Sequence, residues 1–110
     1  MAPRTKKQAG TWAETAAANQ LRIVFPQVKR NPPAGIRDVG DLDGIPELCV
    51  SVKNVRRLAL AAWVDGARKQ AANAGKPFFV VIHRRRQKAA GEWYVTLPLD
   101  DFAKIYRRAI

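Results

Sequence analysis

The chain reads as a single α/β domain, a mixed sheet of about five strands flanked by helices in the order αβββαββα. Three observations predict it. A 110-residue chain with 47% hydrophobic residues can build one core and is too short for two. Three short strand-like segments follow one another closely before position 54, as in an antiparallel meander. A long helical pattern then precedes the continuous apolar run Phe78-Phe-Val-Val-Ile82, which suits a crossover to a parallel strand buried on both faces.

Positions 1–9 lack apolar periodicity and carry Arg4, Lys6 and Lys7, which predicts a basic arm ahead of a domain over 10–110. Thr11-Trp-Ala-Glu14 has capping-box spacing, so a first helix is expected from Thr11 to about Arg22. Pro26 ends it, positions 24–30 read as a short edge strand, and positions 31–35 as a loop. Positions 39–42 and 48–53 read as strands separated by a turn at Asp43-Gly44.

Asn54 is expected to cap the long helix, whose apolar positions include Leu60, Trp63, Val64, Ala67, Ala71 and Ala74, and which Gly75 and Pro77 stop. Positions 93–97 form a last strand. Asp100 can cap a terminal helix with Phe102, Ile105 and Tyr106 on its apolar side and Lys104, Arg107 and Arg108 outside.

Composition narrows the function. Lys and Arg number 20 against nine acidic residues, a net charge of +11, which points to a polyanionic partner. The basic residues are spread over several segments instead of forming one amphipathic helix, so a membrane surface is the weaker candidate. No apolar run approaches the roughly 20 residues of a membrane span, and the basic start leads into no signal-peptide core, so a cytoplasmic location is expected. One Cys and one His cannot furnish a zinc site. Cys49, flanked by Leu48 and Val50, reads as a small buried hydrophobe.

Four of the nine acidic residues, Asp38, Asp41, Asp43 and Glu47, fall within ten positions just before the strand 48–53. Carboxylates beside a polyanion repel it unless a cation intervenes, which suggests a divalent-metal site on nucleic acid. Each of these residues also has a plainer reading: Glu14 as capping-box partner of Thr11, Asp41 and Asp43 as turn residues before Gly44, Lys53 as a solvated strand end.

Glu14 on a first helix, Gly40-Asp41-Leu-Asp-Gly44 on a second strand and Val50-Ser-Val-Lys53-Asn54 on a third resemble the core of the PD-(D/E)XK nucleases, the restriction-endonuclease-like fold. The later stretch, with Trp63 in an Ala-rich helix, Asn73-Ala-Gly75, Val80-Val-Ile-His-Arg-Arg85 and Trp93-Tyr-Val-Thr96, is similar to the small Holliday junction resolvases of bacteriophages.

The resemblance implies a Mg²⁺-dependent endonuclease, with Mn²⁺ as the alternative ion, acting as a homodimer on four-way or other branched DNA in the host-cell cytoplasm. Catalytic roles would fall to Glu14, Asp41, Ser51 and Lys53, with Glu14, Asp41 and Asp43 as metal ligands. In that pattern Asp41 binds the ion, Glu14 completes its site, and Lys53 orients water and stabilises charge on the phosphorane. Ser51 departs from the pattern, which usually has Glu or Asp two residues before the lysine. Asp43, two residues from Asp41 and so on the same strand face, is the substitute ligand expected. Glu47 is a poor one, lying about 20 Å along an extended strand from Lys53.

Lys29, Arg30, Arg56, Arg57, Arg84, Arg85 and Arg86 are the phosphate-contact candidates, His83 a strand-end polar residue, and Trp12, Trp63 and Trp93 core or dimer-interface residues. Two rival readings stand beside the nuclease: a non-catalytic nucleic-acid-binding protein on the same scaffold, and a basic structural protein with no site.

Overall fold

The computed structural model describes residues 5–32 and 37–110. They form three helices and a five-stranded mixed sheet: α1 (Lys6–Leu21), β1 (Lys29–Arg30), β2 (Leu42–Asp43), β3 (Leu48–Lys53), α2 (Leu60–Ala74), β4 (Phe78–His83), β5 (Tyr94–Thr96) and α3 (Leu99–Ala109), with a 3-10 turn at Ala90–Glu92. The strands lie in chain order. β1, β2 and β3 are antiparallel neighbours, β3 and β4 are parallel in the register Ser51 to Val81 and Lys53 to His83, and β5 returns antiparallel to β4. The meander and the single crossover through α2 are thus both present.

β3 and β4 are central because every residue of β4 and the inner four of β3 are buried. Alternation along the strands divides their side chains between two layers. Val50, Val52, Val80 and Ile82 pack with Ala13, Ala17 and Ala18 of α1, while Cys49, Phe79 and Val81 pack with Ala67 and Ala71 of α2. Small residues on both helices let them sit close against the branched side chains of the sheet. No helix among the described residues is long and apolar enough to cross a membrane.

Several boundaries differ from expectation. α1 begins at Lys6, capped by Thr5, whose Oγ1 accepts the Gln8 N–H at 3.1 Å while Gln8 Oε1 accepts the Thr5 N–H at 3.2 Å. The chain contains two Thr-x-x-Gln/Glu patterns and the earlier one caps the helix, so Thr11 and Glu14 are interior positions. Positions 6–9 of the expected arm are therefore helical, and positions 1–4 lie outside the described residues.

The expected strand over 24–30 shrinks to Lys29–Arg30, because the Val24 and Phe25 N–H groups bond back to Leu21 and Arg22 Nε ties to the Val28 carbonyl. The expected loop over 31–35 falls partly outside the described residues. β2 lies later than the span 39–42, starting at Leu42. α2 starts at Leu60 without a side-chain cap, and Asn54 has a different task at the strand ends. Gly75 in the left-handed conformation ends α2 as expected. β5 is shorter than 93–97, and α3 is capped from Pro98 with Asp100 and Asp101 in its first turn.

Candidate active site

Asp41 sits where β2 stops following β3. Its N–H bonds the Val50 carbonyl at 2.9 Å and its carbonyl accepts the Asn31 N–H at 2.9 Å, so its backbone is pinned between β1 and β3. The next ladder donor, the Val52 N–H, would be left unpaired in a buried strand, and Asp41 Oδ2 accepts it at 2.7 Å. Ser51 Oγ lies 3.5 Å from the same oxygen. No donor among the described residues reaches Oδ1.

Two glycines let the chain pass through here. A Cβ on Gly40 (φ +96°) would stand 2.7 Å from Cys49 Sγ, and one on Gly44 (φ +108°) would run into the Gln27 carbonyl of the passing chain.

Glu14 reaches this site from the interior of α1. Its Oε1 accepts from Arg30 Nε at 3.3 Å, and its pKa is raised, first by burial and then by the charge of Asp41, with Arg30 opposing both. Asp41 is also raised, chiefly by burial, against the Val52 N–H and the positive charge of Lys53. Asp41 is thus bonded to the C-terminal half of β3, the strand of Ser51 and Lys53, and its charge is felt by Glu14 of α1.

Of the other three acidic residues of the sequence cluster, Asp38 stays close enough for its charge to raise the pKa of Asp41, while each of the three is bound by partners of its own. Asp38 accepts from the Gly40 N–H and Gln70 Nε2 and, through its carbonyl, from Asn73 Nδ2, tying its loop to α2. Glu47, at φ +63°, pairs with Arg108 of α3. Asp43, the expected substitute ligand, instead pairs with Lys76 Nζ at 2.5 Å, which holds its pKa down, and its charge does not contribute to the shift of either Glu14 or Asp41. Adjacency along the chain does not make Asp43 and Glu47 neighbours of Asp41, because Asp43 turns to Lys76 and Glu47 to Arg108.

A divalent ion suits what remains. Mg²⁺ commonly takes one or two carboxylates and completes its shell with water and substrate phosphate oxygens. Two partly buried carboxylates whose charges disfavour one another, one with an oxygen free of donors, form such a set. No group of three or more His, Cys, Asp or Glu side chains that could hold an ion exists among the described residues. Ser51 is fully buried, so a larger acidic residue there would have to displace packed neighbours as well as bring charge.

The C-terminal ends of the parallel strands carry the basic residues. The Arg84 N–H bonds the Lys53 carbonyl at 3.0 Å, placing the Arg84 to Arg86 run beside Lys53. Arg84 lies 4.4 Å above the Trp12 ring, which in turn meets Trp93 at 5.9 Å. Asn54 joins these parts: Nδ2 donates to the Ala9 carbonyl of α1 at 3.0 Å and Oδ1 accepts from Arg84 at 3.4 Å. It thereby fixes the helix that carries Glu14 relative to the strand that carries Lys53. Neither Asn54 nor Trp12 announces this role by spacing.

Arg56, Arg84 and Arg86 line one open cleft of about 490 Å³ with Val55, Leu58 and Gln87. Lys29 is exposed on β1, Arg57 is exposed on the loop after β3, and Arg85 stacks 5.7 Å from the Tyr94 ring. Arg30 is the counter-ion of Glu14, a role beyond the phosphate contact expected of it.

His83 is buried, bonded through Nε2 to Thr96 Oγ1 at 2.7 Å between the rings of Trp63 and Tyr94, and burial lowers its pKa. Cys49 is buried and its thiol is pushed up to about 11 by desolvation, which leaves it protonated and inert near neutral pH. No known protein family, characterised protein or solved structure matches the chain.

Proposed function

We propose that the protein is a metal-dependent endonuclease of PD-(D/E)XK type that cuts branched DNA, four-way junctions above all, as a homodimer in the cytoplasm. The observation that supports this most is the position of Asp41, just before β2, where its charge acts on Glu14 of α1 and the charge of Lys53 of β3 acts on it, beside the strand ends that lead into Arg84 and Arg86. In open α/β sheets such strand ends are where ligands bind.

Mg²⁺ or Mn²⁺ held by Glu14 and Asp41 would polarise the scissile phosphate and lower the pKa of a bound water. Lys53 supplies a positive charge for the phosphate oxygens as negative charge builds on them. Arg56, Arg84 and Arg86 hold flanking phosphates, and the stack of Arg84 on Trp12 limits how far that guanidinium wanders. Junction resolution needs two symmetric cuts, which a two-fold dimer provides.

A second reading has its own observation. Asp41 Oδ2 already serves the Val52 N–H and Glu14 already pairs with Arg30, as in a scaffold that binds nucleic acid without cutting it.

Cleavage of an end-labelled four-way junction, measured with and without Mg²⁺ for the parent chain and for Asp41→Ala, separates the two. The nuclease reading expects Mg²⁺-dependent product from the parent, none from the variant, and junction affinity that is equal or higher once a negative charge facing phosphate is gone. Product that survives the substitution, or a parent that binds junctions and never cuts them, rejects it.

A further inference from the structure

The last helix is unusual in where its apolar side chains go. α3 buries no residue, yet Leu99, Phe102, Tyr106 and Ile110 recur at spacings of three and four and stand 79%, 50%, 55% and 76% exposed. They form one stripe along the side turned to solvent, with Phe102 and Tyr106 stacked at 5.8 Å. The helix is held to the body by other residues: Ile105 lines the trough formed with β4 and β5, and Arg108 reaches Glu47 and the Phe78 ring. An eleven-residue helix is too short to persist on propensity alone, and packing of its apolar face is what usually stabilises it.

The charges beside the stripe say what covers it. Asp100 in the first turn and Arg107 in the last are seven residues apart, two helical turns, and so lie on the same flank. Neither has an ion-pair partner among the described residues. When two copies of such a helix meet antiparallel about a two-fold axis, each residue of a flank faces the same flank of the other copy read in reverse. Asp100 of each then faces Arg107 of the other, the stripes meet, and the helix dipoles oppose. Ala103, between them on the same side, leaves room for close approach.

We propose that α3 is a self-association surface, pairing antiparallel with α3 of a second copy through Leu99, Phe102, Tyr106 and Ile110 and two Asp100 to Arg107 ion pairs. This assigns the face of the proposed nuclease dimer but stands on α3 alone, whatever the chemistry at Asp41. An eleven-residue face falls short of the roughly 800 Å² per partner of a standard interface, so the association is of the weak, concentration-dependent kind.

The test is sedimentation equilibrium of the full chain, without DNA or metal, from about 1 µM to 1 mM. The parent should pass from monomer to dimer. Asp100→Arg and Arg107→Asp each place like charges opposite one another and should raise the dimer dissociation constant about tenfold or more. Both sit on exposed surface and leave the stripe intact; each reverses a charge that favours its end of the helix, so far-UV circular dichroism of each variant checks that α3 stays helical. Mixed in equal amounts, the two variants should recover dimer, because Arg at position 100 of one then faces Asp at position 107 of the other while the remaining pair is native. A parent that stays monomeric throughout, variants that dimerise as tightly as the parent, or a mixture that recovers nothing overturns the proposal.

Discussion

His83 is the only histidine and takes its place between two aromatic rings, bonded to Thr96. Burial disfavours its charged form, so its folded pKa lies below 6.5 while the unfolded chain keeps the ordinary value. The unfolded state therefore binds the proton more readily. The stability involved is fully present above pH 6.5 and is lost as pH falls from there to the lower folded pKa. Thermal melts of the parent and of His83→Gln between about pH 7.5 and 5 check this. The difference in melting temperature between them should shrink as pH falls, whereas a difference constant with pH would mean that His83 does not titrate in this range. Ser51 stands where the resemblance expects an acidic ligand. Full burial next to Asp41 gives Ser51 a packing and hydrogen-bonding task that needs no charge.

Among elements, the segment from Gly40 to Gly44, which contains β2, decides where Asp41 points. Gly40→Ala would combine a left-handed φ with a Cβ pressed on Cys49, a strain of about 1–3 kcal/mol. Gly66 in α2 offers the contrast: a Cβ there meets nothing within 4 Å, so Gly66→Ala should stabilise by about 0.5–1 kcal/mol. Denaturant unfolding of the two variants should move the midpoint in opposite directions. If Gly40→Ala unfolds like the parent, this segment is freer than the geometry implies and does not hold Asp41 in place. The start of α1 shows how local rules compete within one element. Two capping patterns six residues apart are equally legible, and use of the earlier one frees Glu14 from the cap to face Arg30 and Asp41.

For the whole molecule, the charge of +11 is distributed so that the cleft at the ends of β3 and β4 concentrates Arg56, Arg84 and Arg86. Replacing those three with Gln should weaken binding to a DNA junction and flatten its dependence on salt, the slope of log affinity against log salt falling by roughly 0.9 for each phosphate no longer neutralised. Binding titrations from about 50 to 200 mM salt measure this. An unchanged slope would put the phosphate-binding residues on another face, with Lys29 and Arg57 the next to replace. Gln is chosen over Ala so that position 84 keeps a side chain over Trp12.

Periodicity and turn chemistry by themselves determined the α/β class, the order of elements, the parallel crossover onto Phe78–His83 and the end of α2 at Gly75, because these follow from local spacing and backbone preference. Sequence spacing also puts Asp38, Asp41, Asp43 and Glu47 within ten positions, and it leaves open how each of them turns. Which way each carboxylate turns depends on partners distant in the chain: Gln70 and Asn73 for Asp38, Val52 for Asp41, Lys76 for Asp43 and Arg108 for Glu47. The resemblance already singles out Asp41 with Glu14 and Lys53; only the tertiary structure decided how Asp41 is held and that Asp43 turns instead to Lys76, since a buried strand donor with no ladder partner draws the nearest carboxylate to itself, and no spacing rule records where a ladder will end.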